Sequence, residues 1–99
     1  MGAGSSGGYE GSIVEIYNCS VSSNDLEDYA GGIVGSYFGS VGSTTTTTDI
    51  SIIQNCVYTG QIGSKAGGIC GDSLGHYGGN VKIYNCYTTG TINTNAGGI

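Results

Sequence analysis

Arginine, proline and tryptophan do not occur in this sequence of 99 residues, and Lys65 and Lys82 are its only basic side chains. Charged residues make up 9% of the chain, against the ~25% usual in soluble domains. With so few cations nothing neutralises phosphates or releases their counterions, so nucleic acid is excluded as a partner. The net charge of −5 comes from seven scattered carboxylates, which favours solubility and points to no particular partner. No apolar run approaches the ~18 residues of a membrane span, and the opening residues do not read as a signal peptide. Helix is missing as well. No stretch of about a dozen residues avoids glycine and carries a 3.6-residue apolar period.

What is present is glycine, 21 residues of it, together with eleven isoleucines, six valines and eight tyrosines. Glycine at that level suits disorder only where β-branched and aromatic residues are scarce. Here they are plentiful, and the composition predicts short strands separated by tight turns.

Three segments align: IYNCSVSSNDLEDYAGGIVG from Ile16 to Gly35, IQNCVYTGQIGSKAGGICG from Ile53 to Gly71, and IYNCYTTGTINTNAGGI from Ile83 to Ile99. Asn-Cys recurs at Asn18-Cys19, Asn55-Cys56 and Asn85-Cys86, with spacings of 37 and 30 residues. Ala-Gly-Gly-Ile recurs from Ala30, Ala66 and Ala96, with spacings of 36 and 30. The interval from Cys to Ala is 11, 10 and 10. Two landmarks kept in step define a repeat of 30–36 residues. The longer first period coincides with SVGSTTTTTD, residues 40–49, read as a surface loop inserted between repeats. The chain divides into a Gly/Ser-rich segment, residues 1–11, and a repeat region, residues 12–99, with repeats at 12–40, 50–80 and 81–99.

Each repeat holds three short pieces of strand character: in the last one, VKI before Asn85, then Thr91-Ile92, then Gly97–Ile99. Such pieces cannot bury a face alone, but repeats stacked in register can. The expectation is an all-β fold, a parallel β-solenoid (β-helix) of about three coils with three short strands per coil. Each strand would pair in parallel with its counterpart one coil away, at ~4.8 Å. Alternation assigns Ile16, Ile53 and Ile83 to one interior column. Ile62 and Ile92 form a second, with Leu26 or Val21 as its first member. Ile33, Ile69 and Ile99 form a third. Val41 and Val81, or Ile13 and Ile50, extend the core between repeats. Asn18, Asn55 and Asn85 fall at the bend after the first strand, where in-phase amides can form a ladder.

The string IYNCYTTGTINTNAGGI resembles the GLUG-type repeat. Members of that family run isoleucine, Asn-Cys-Tyr, a Thr-Gly step, a valine or isoleucine, then Gly-Gly-Leu-Val-Gly. More broadly the pattern is similar to right-handed parallel β-helix proteins of the pectate-lyase type. The resemblance spans residues 12–99. It implies the solenoid architecture and a right-handed coil. It also implies a setting in large bacterial surface or secreted proteins, or in repeat proteins of giant viruses, where such repeats serve as stalk or adhesive segments. One departure is visible: Ile33-Val34-Gly35 and Ile69-Cys70-Gly71 continue the Gly-Gly block, whereas the third copy stops at Ile99.

Of the four cysteines, Cys19, Cys56 and Cys86 share a column and Cys70 follows a Gly-Gly-Ile block. There is no CxxC pair, and a column is not a tetrahedron, so zinc is not expected. In-register neighbours keep their Cβ atoms ~4.8 Å apart, wider than the ~3.8 Å that a disulfide prefers. Free thiols acting as small hydrophobes are expected, with a bridge from Cys70 to another column as the alternative. His76, in DSLGHYGG, reads as a solvated loop residue despite Asp72 nearby. Asp25, Glu27 and Asp28 do not match calcium-loop spacings. Without arginine or a repeated acidic column, pectate-lyase and polygalacturonase chemistry lacks its residues, and neither enzymatic activity nor a cofactor is expected. Tyr17 and Tyr84 share a column around Gln54, with Tyr58 and Tyr87 near it. Such a face can bind glycan or a host surface protein by stacking and hydrogen bonding, the alternative being ring packing across coils.

Three coils make a stack only ~14 Å tall. Its end coils expose unpaired backbone groups that other proteins protect with charge, proline, bulges or polar caps. None is evident here, and Ile99 is a core position. Either the chain belongs to a longer solenoid or copies stack head to tail in a heterologous, non-closing contact. The leading expectation is a structural protein that self-associates end to end into an extracellular or virion-associated fibre. The alternative is a fragment of a cell-surface adhesin that binds glycan or protein.

Overall fold

Strands form where β-branched residues alternate with polar ones between asparagine and glycine corners. The computed structural model describes residues 13–41 and 49–99. In it lie β1 (Glu15–Tyr17), β2 (Ser20–Leu26), β3 (Ile50–Gln54), β4 (Val57–Ile62), β5 (Asn80–Tyr84) and β6 (Tyr87–Thr89). The described residues are all-β, in two three-stranded parallel sheets ordered β1-β3-β5 and β2-β4-β6. Neighbouring strands are therefore the same strand of successive repeats, and the long connection that parallel pairing demands is the rest of the repeat. Ile16 pairs with Ile53 and Ile53 with Ile83, while Val21 pairs with Tyr58 and Tyr58 with Thr88. Leu26 pairs with Ile62, and Ile62 bridges Ile92, so Leu26 and not Val21 heads that column.

Two corners recur. At the first, Asn18, Asn55 and Asn85 adopt φ of 58°, 56° and 51°, a left-handed conformation that asparagine tolerates better than most residues. At the second, Ala30 N donates to Glu27 O at 3.1 Å, Ala66 N to Gly63 O at 3.2 Å and Ala96 N to Asn93 O at 3.1 Å. These are β-turns whose third residues, Tyr29, Lys65 and Asn95, have φ of 64°, 61° and 60°.

Among the described residues no repeat forms a third strand. The second strand starts directly after the cysteine and in two repeats runs on to Leu26 and Ile62, absorbing the piece expected in the middle. The Gly-Gly-Ile blocks make only isolated parallel bridges, Gly31 with Gly67, Gly67 with Gly97 and Val34 with Cys70. In the first two repeats turns on both sides leave too few extended residues for a strand. Backbone bonding still continues there, from Ile33 N to Ile69 O at 2.9 Å and from Ile69 N to Ile99 O at 3.1 Å.

The unequal Cys-to-Ala intervals have a structural cause. Between β2 and β4 the register shifts, Ser22 facing Thr59 but Asp25 facing Gln61, so that Ser23 and Asn24 stand against Gly60 alone. The extra residue of the first repeat is thus a β-bulge.

The linker after the second Gly-Gly-Ile block is more than a solvated loop. Tyr37 N donates to Asp72 O at 3.0 Å, Gly75 N to Phe38 O at 2.9 Å and Val41 N to His76 O at 3.1 Å, so this linker lies along the equivalent stretch of the first repeat. Phe38, Ser40 and Val41 are buried, which takes Ser40 and Val41 out of the expected surface loop. Residues 42–48 of the Thr-rich insertion lie outside the described residues, as do residues 1–12 with the Gly/Ser-rich segment.

The core centres on the second repeat. Ile53, Ile62 and Ile69 are fully buried, with Ile33, Val34, Phe38, Cys56 and Tyr58 around them. Ile16 and Ile83 are half-buried against this cluster. Ile92 and Ile99, expected inside, are 48% and 49% exposed. Among the described residues the third repeat has a neighbour on one side only, which leaves these two side chains uncovered. Ile13 is exposed as well and does not extend the core.

Candidate functional site

The Asn-Cys corner is where backbone conformation, side-chain bonding and repeat register coincide. A left-handed residue at the bend turns its side chain outward along the sheet edge, and in-register repeats bring these amides together. Asn55 Nδ2 donates to Asn18 Oδ1 at 3.2 Å, and Asn85 Nδ2 donates to Asn55 Oδ1 at 3.3 Å. The backbone is tied too, Asn18 N donating to Gln54 O at 3.0 Å and Asn55 N to Tyr84 O at 3.0 Å. The ladder has a direction: every side-chain amide donates toward the preceding repeat.

One residue further on, the thiols turn inward. Cys19 Sγ donates to Tyr17 O at 3.5 Å, Cys56 Sγ to Gln54 O at 3.3 Å and Cys86 Sγ to Tyr84 O at 3.2 Å. Cys56 and Cys86 also approach a carbonyl of the preceding repeat, Ile16 O at 3.9 Å and Ile53 O at 3.7 Å. All four cysteines are free thiols. Burial pushes the Cys70 thiol up to about 12, with Cys86 and Cys56 nearby adding to the effect. Cys19 and Cys86 are raised as well, burial again leading. These are inert small hydrophobes in character.

The tyrosines separate. Tyr17 and Tyr84 are exposed and share a column through Gln54. Tyr17 Oη donates to Glu15 Oε2 at 2.9 Å, and that bond to the carboxylate, followed by burial, raises the Tyr17 pKa. Tyr58 does not belong to this outer face. It is fully buried, and it pairs with Val21 and Thr88, whereas the exposed Tyr87 pairs with Val57. Tyr58 and Tyr87 are one residue out of phase, and in a strand that difference reverses the face.

A second exposed aromatic group was not foreseen. His76 meets Tyr37 with ring centroids 5.7 Å apart and Tyr77 at 4.0 Å, both edge-on. Its signal in the sequence is Gly39 and Gly75, 36 residues apart like the neighbouring alanines and both at positive φ. Asp72 Oδ2 accepts from Ser73 Oγ at 3.2 Å, while the His76 ring packs on the tyrosines. Among the described residues no group of three His, Cys, Asp or Glu side chains can hold a metal ion, Asp25, Glu27 and Asp28 included. No helix among them is long and apolar enough to cross a membrane. The chain matches no protein-family model, no curated protein and no solved structure.

Proposed function

We propose that the chain is a structural protein, a parallel β-solenoid of three coils whose copies stack head to tail into an extracellular or virion-associated fibre. The observation that carries this reading is the contrast between repeats. In the second repeat, flanked on both sides, Ile53, Ile62 and Ile69 are 0% exposed. In the third, which among the described residues has a neighbour on one side only, Ile92 and Ile99 are 48% and 49% exposed. A further coil on that side removes apolar surface from water, a gain of roughly 25 cal/mol per Å². It also pairs the outward peptide groups of β5 and β6, which form a sheet edge among the described residues. The extracellular or virion setting rests on the resemblance to GLUG-type repeats. Negative-stain microscopy with sedimentation tests the proposal: filaments whose mass grows with concentration are expected. A 9.9 kDa particle at every concentration overturns it.

A second reading draws on Tyr17 and Tyr84, exposed and in register about Gln54. As part of an adhesin, this face would bind a glycan or host protein by ring stacking. Glycan-array binding lost in Tyr17→Ala and Tyr84→Ala supports it, and binding unchanged by both removes it.

A further inference from the structure

We infer that the junction between copies is polar and in register, the Lys82–Cys86 edge of one copy receiving the Glu15–Cys19 edge of the next. This rests on the end-to-end stacking proposed above and adds its direction, register and side-chain chemistry. Four features of the two outer edges agree on it.

The first is the direction of the amide ladder. Its bonds consume the Nδ2 donors of Asn55 and Asn85 and the Oδ1 acceptors of Asn18 and Asn55. Among the described residues one end is left presenting Asn18 Nδ2 and the other Asn85 Oδ1. These ends complement each other only head to tail, since head-to-head contact sets donor on donor and tail-to-tail sets acceptor on acceptor. The backbone bonds at this corner run in the opposite sense and are equally polar: Asn18 N donates to Gln54 O and Asn55 N to Tyr84 O, so continuing the register aims Asn85 N at Tyr17 O of the next copy.

The second is charge. Glu15 pairs with Ile52, and Ile52 with Lys82. Within the chain the two charges are kept apart by an isoleucine. At the junction they become direct cross-strand neighbours, a favourable opposite-charge pair involving one of the only two cations in the sequence.

The third is sequence identity. Ile-Tyr-Asn-Cys at residues 16–19 is repeated without change at residues 83–86, while the middle copy reads Ile53-Gln54-Asn55-Cys56. The junction therefore sets Ile83 on Ile16 and Tyr84 on Tyr17, ~4.8 Å apart, an aromatic pair that Gln54 prevents inside the chain. The fourth is the continuation of the Leu26–Ile62–Ile92 column, which places Leu26 of the next copy over the exposed Ile92.

Charge reversal tests the register. Glu15 and Lys82 are both exposed, so Glu15→Lys and Lys82→Glu should keep the circular dichroism and melting curve of the parent chain. Each single variant sets like charges at the junction and should raise the critical concentration for assembly about tenfold at low ionic strength. The double variant, and a mixture of the two single variants, should restore it. Critical concentrations unchanged in both single variants overturn the register while leaving end-to-end stacking in place. A parent chain that never assembles overturns both. In the assembled parent, mixing isotopically light and heavy copies before photo-oxidative coupling should yield a mixed dityrosine link between Tyr17 and Tyr84. Mixed links joining Tyr17 to Tyr17 or Tyr84 to Tyr84 overturn the polarity.

Discussion

Tyr58, the buried ring of the middle repeat, places its hydroxyl 2.7 Å from Ser23 Oγ, one of the two residues that bulge out of register in the repeat before it. The same hydroxyl donates to Gln61 O at 3.0 Å. The bulge thus supplies the polar partner that a buried phenol requires. Tyr58→Phe keeps the ring and removes both bonds, while Ser23 Oγ keeps Asp25 O as a partner at 3.3 Å, and should cost about 1 kcal/mol in urea denaturation. Tyr58→Thr, which copies the in-register Thr88, leaves a cavity and should cost roughly 3–5 kcal/mol.

The asparagine corner combines a left-handed backbone with two side-chain bonds at Asn55, and two substitutions separate these contributions. Asn55→Gly keeps the backbone freedom and loses the ladder, a loss of about 1 kcal/mol for exposed bonds. Asn55→Ala loses both and should cost about 2–3 kcal/mol, because a Cβ without a compensating amide is strained at positive φ. Thermal melts of the two variants give the comparison. Equal losses would show that the left-handed conformation adds no cost.

Gly32 is a packing glycine. A Cβ there would stand 2.6 Å from the Tyr58 ring and meet the Gly68 carbonyl oxygen besides. Gly32→Ala should therefore cost roughly 3 kcal/mol through overpacking. Gly35 has nothing within 4 Å of such a Cβ, and Gly35→Ala should stay within about 0.5 kcal/mol of the parent.

Cys70 makes stability depend on pH on the alkaline side. Its thiol ionises at about 12 in the folded chain against an ordinary 9.0, so the folded state holds the proton more tightly. The contribution is complete below pH 9.0 and is lost as pH rises toward about 12, where unfolding no longer releases a proton. The urea midpoint should fall across that window. Cys70→Val, which places the residue of the bridged Val34 at this position, should flatten the fall. At pH 8 Cys70 should also be alkylated more slowly than the half-buried Cys19 and Cys86.

The register of the first sheet is legible because Asn-Cys recurs in constant phase with the isoleucine before it, and parallel pairing of like with like follows from that phase alone. The inward turn of Tyr58 is not legible from spacing between repeats. It depends on β4 starting at Val57, which resets the alternation within the repeat. The bulge leaves a trace in the longer Cys-to-Ala interval, yet only pairing locates it at Ser23 and Asn24. Pairing of residues 37–41 with 73–77 was open to the same logic through Gly39 and Gly75, but the Thr-rich run beside it masked the correspondence. The exposure of Ile92 and Ile99 has no local signal at all, because it is set by what covers the third repeat.

Repeats hydrogen-bonded one upon the next along a single axis are the central claim, and X-ray diffraction from aligned fibres tests it most directly. The account predicts a meridional reflection near ~4.8 Å, with an axial period of three such steps, ~14 Å. A ~4.8 Å reflection confined to the equator would place the hydrogen bonds across the fibre and contradict it.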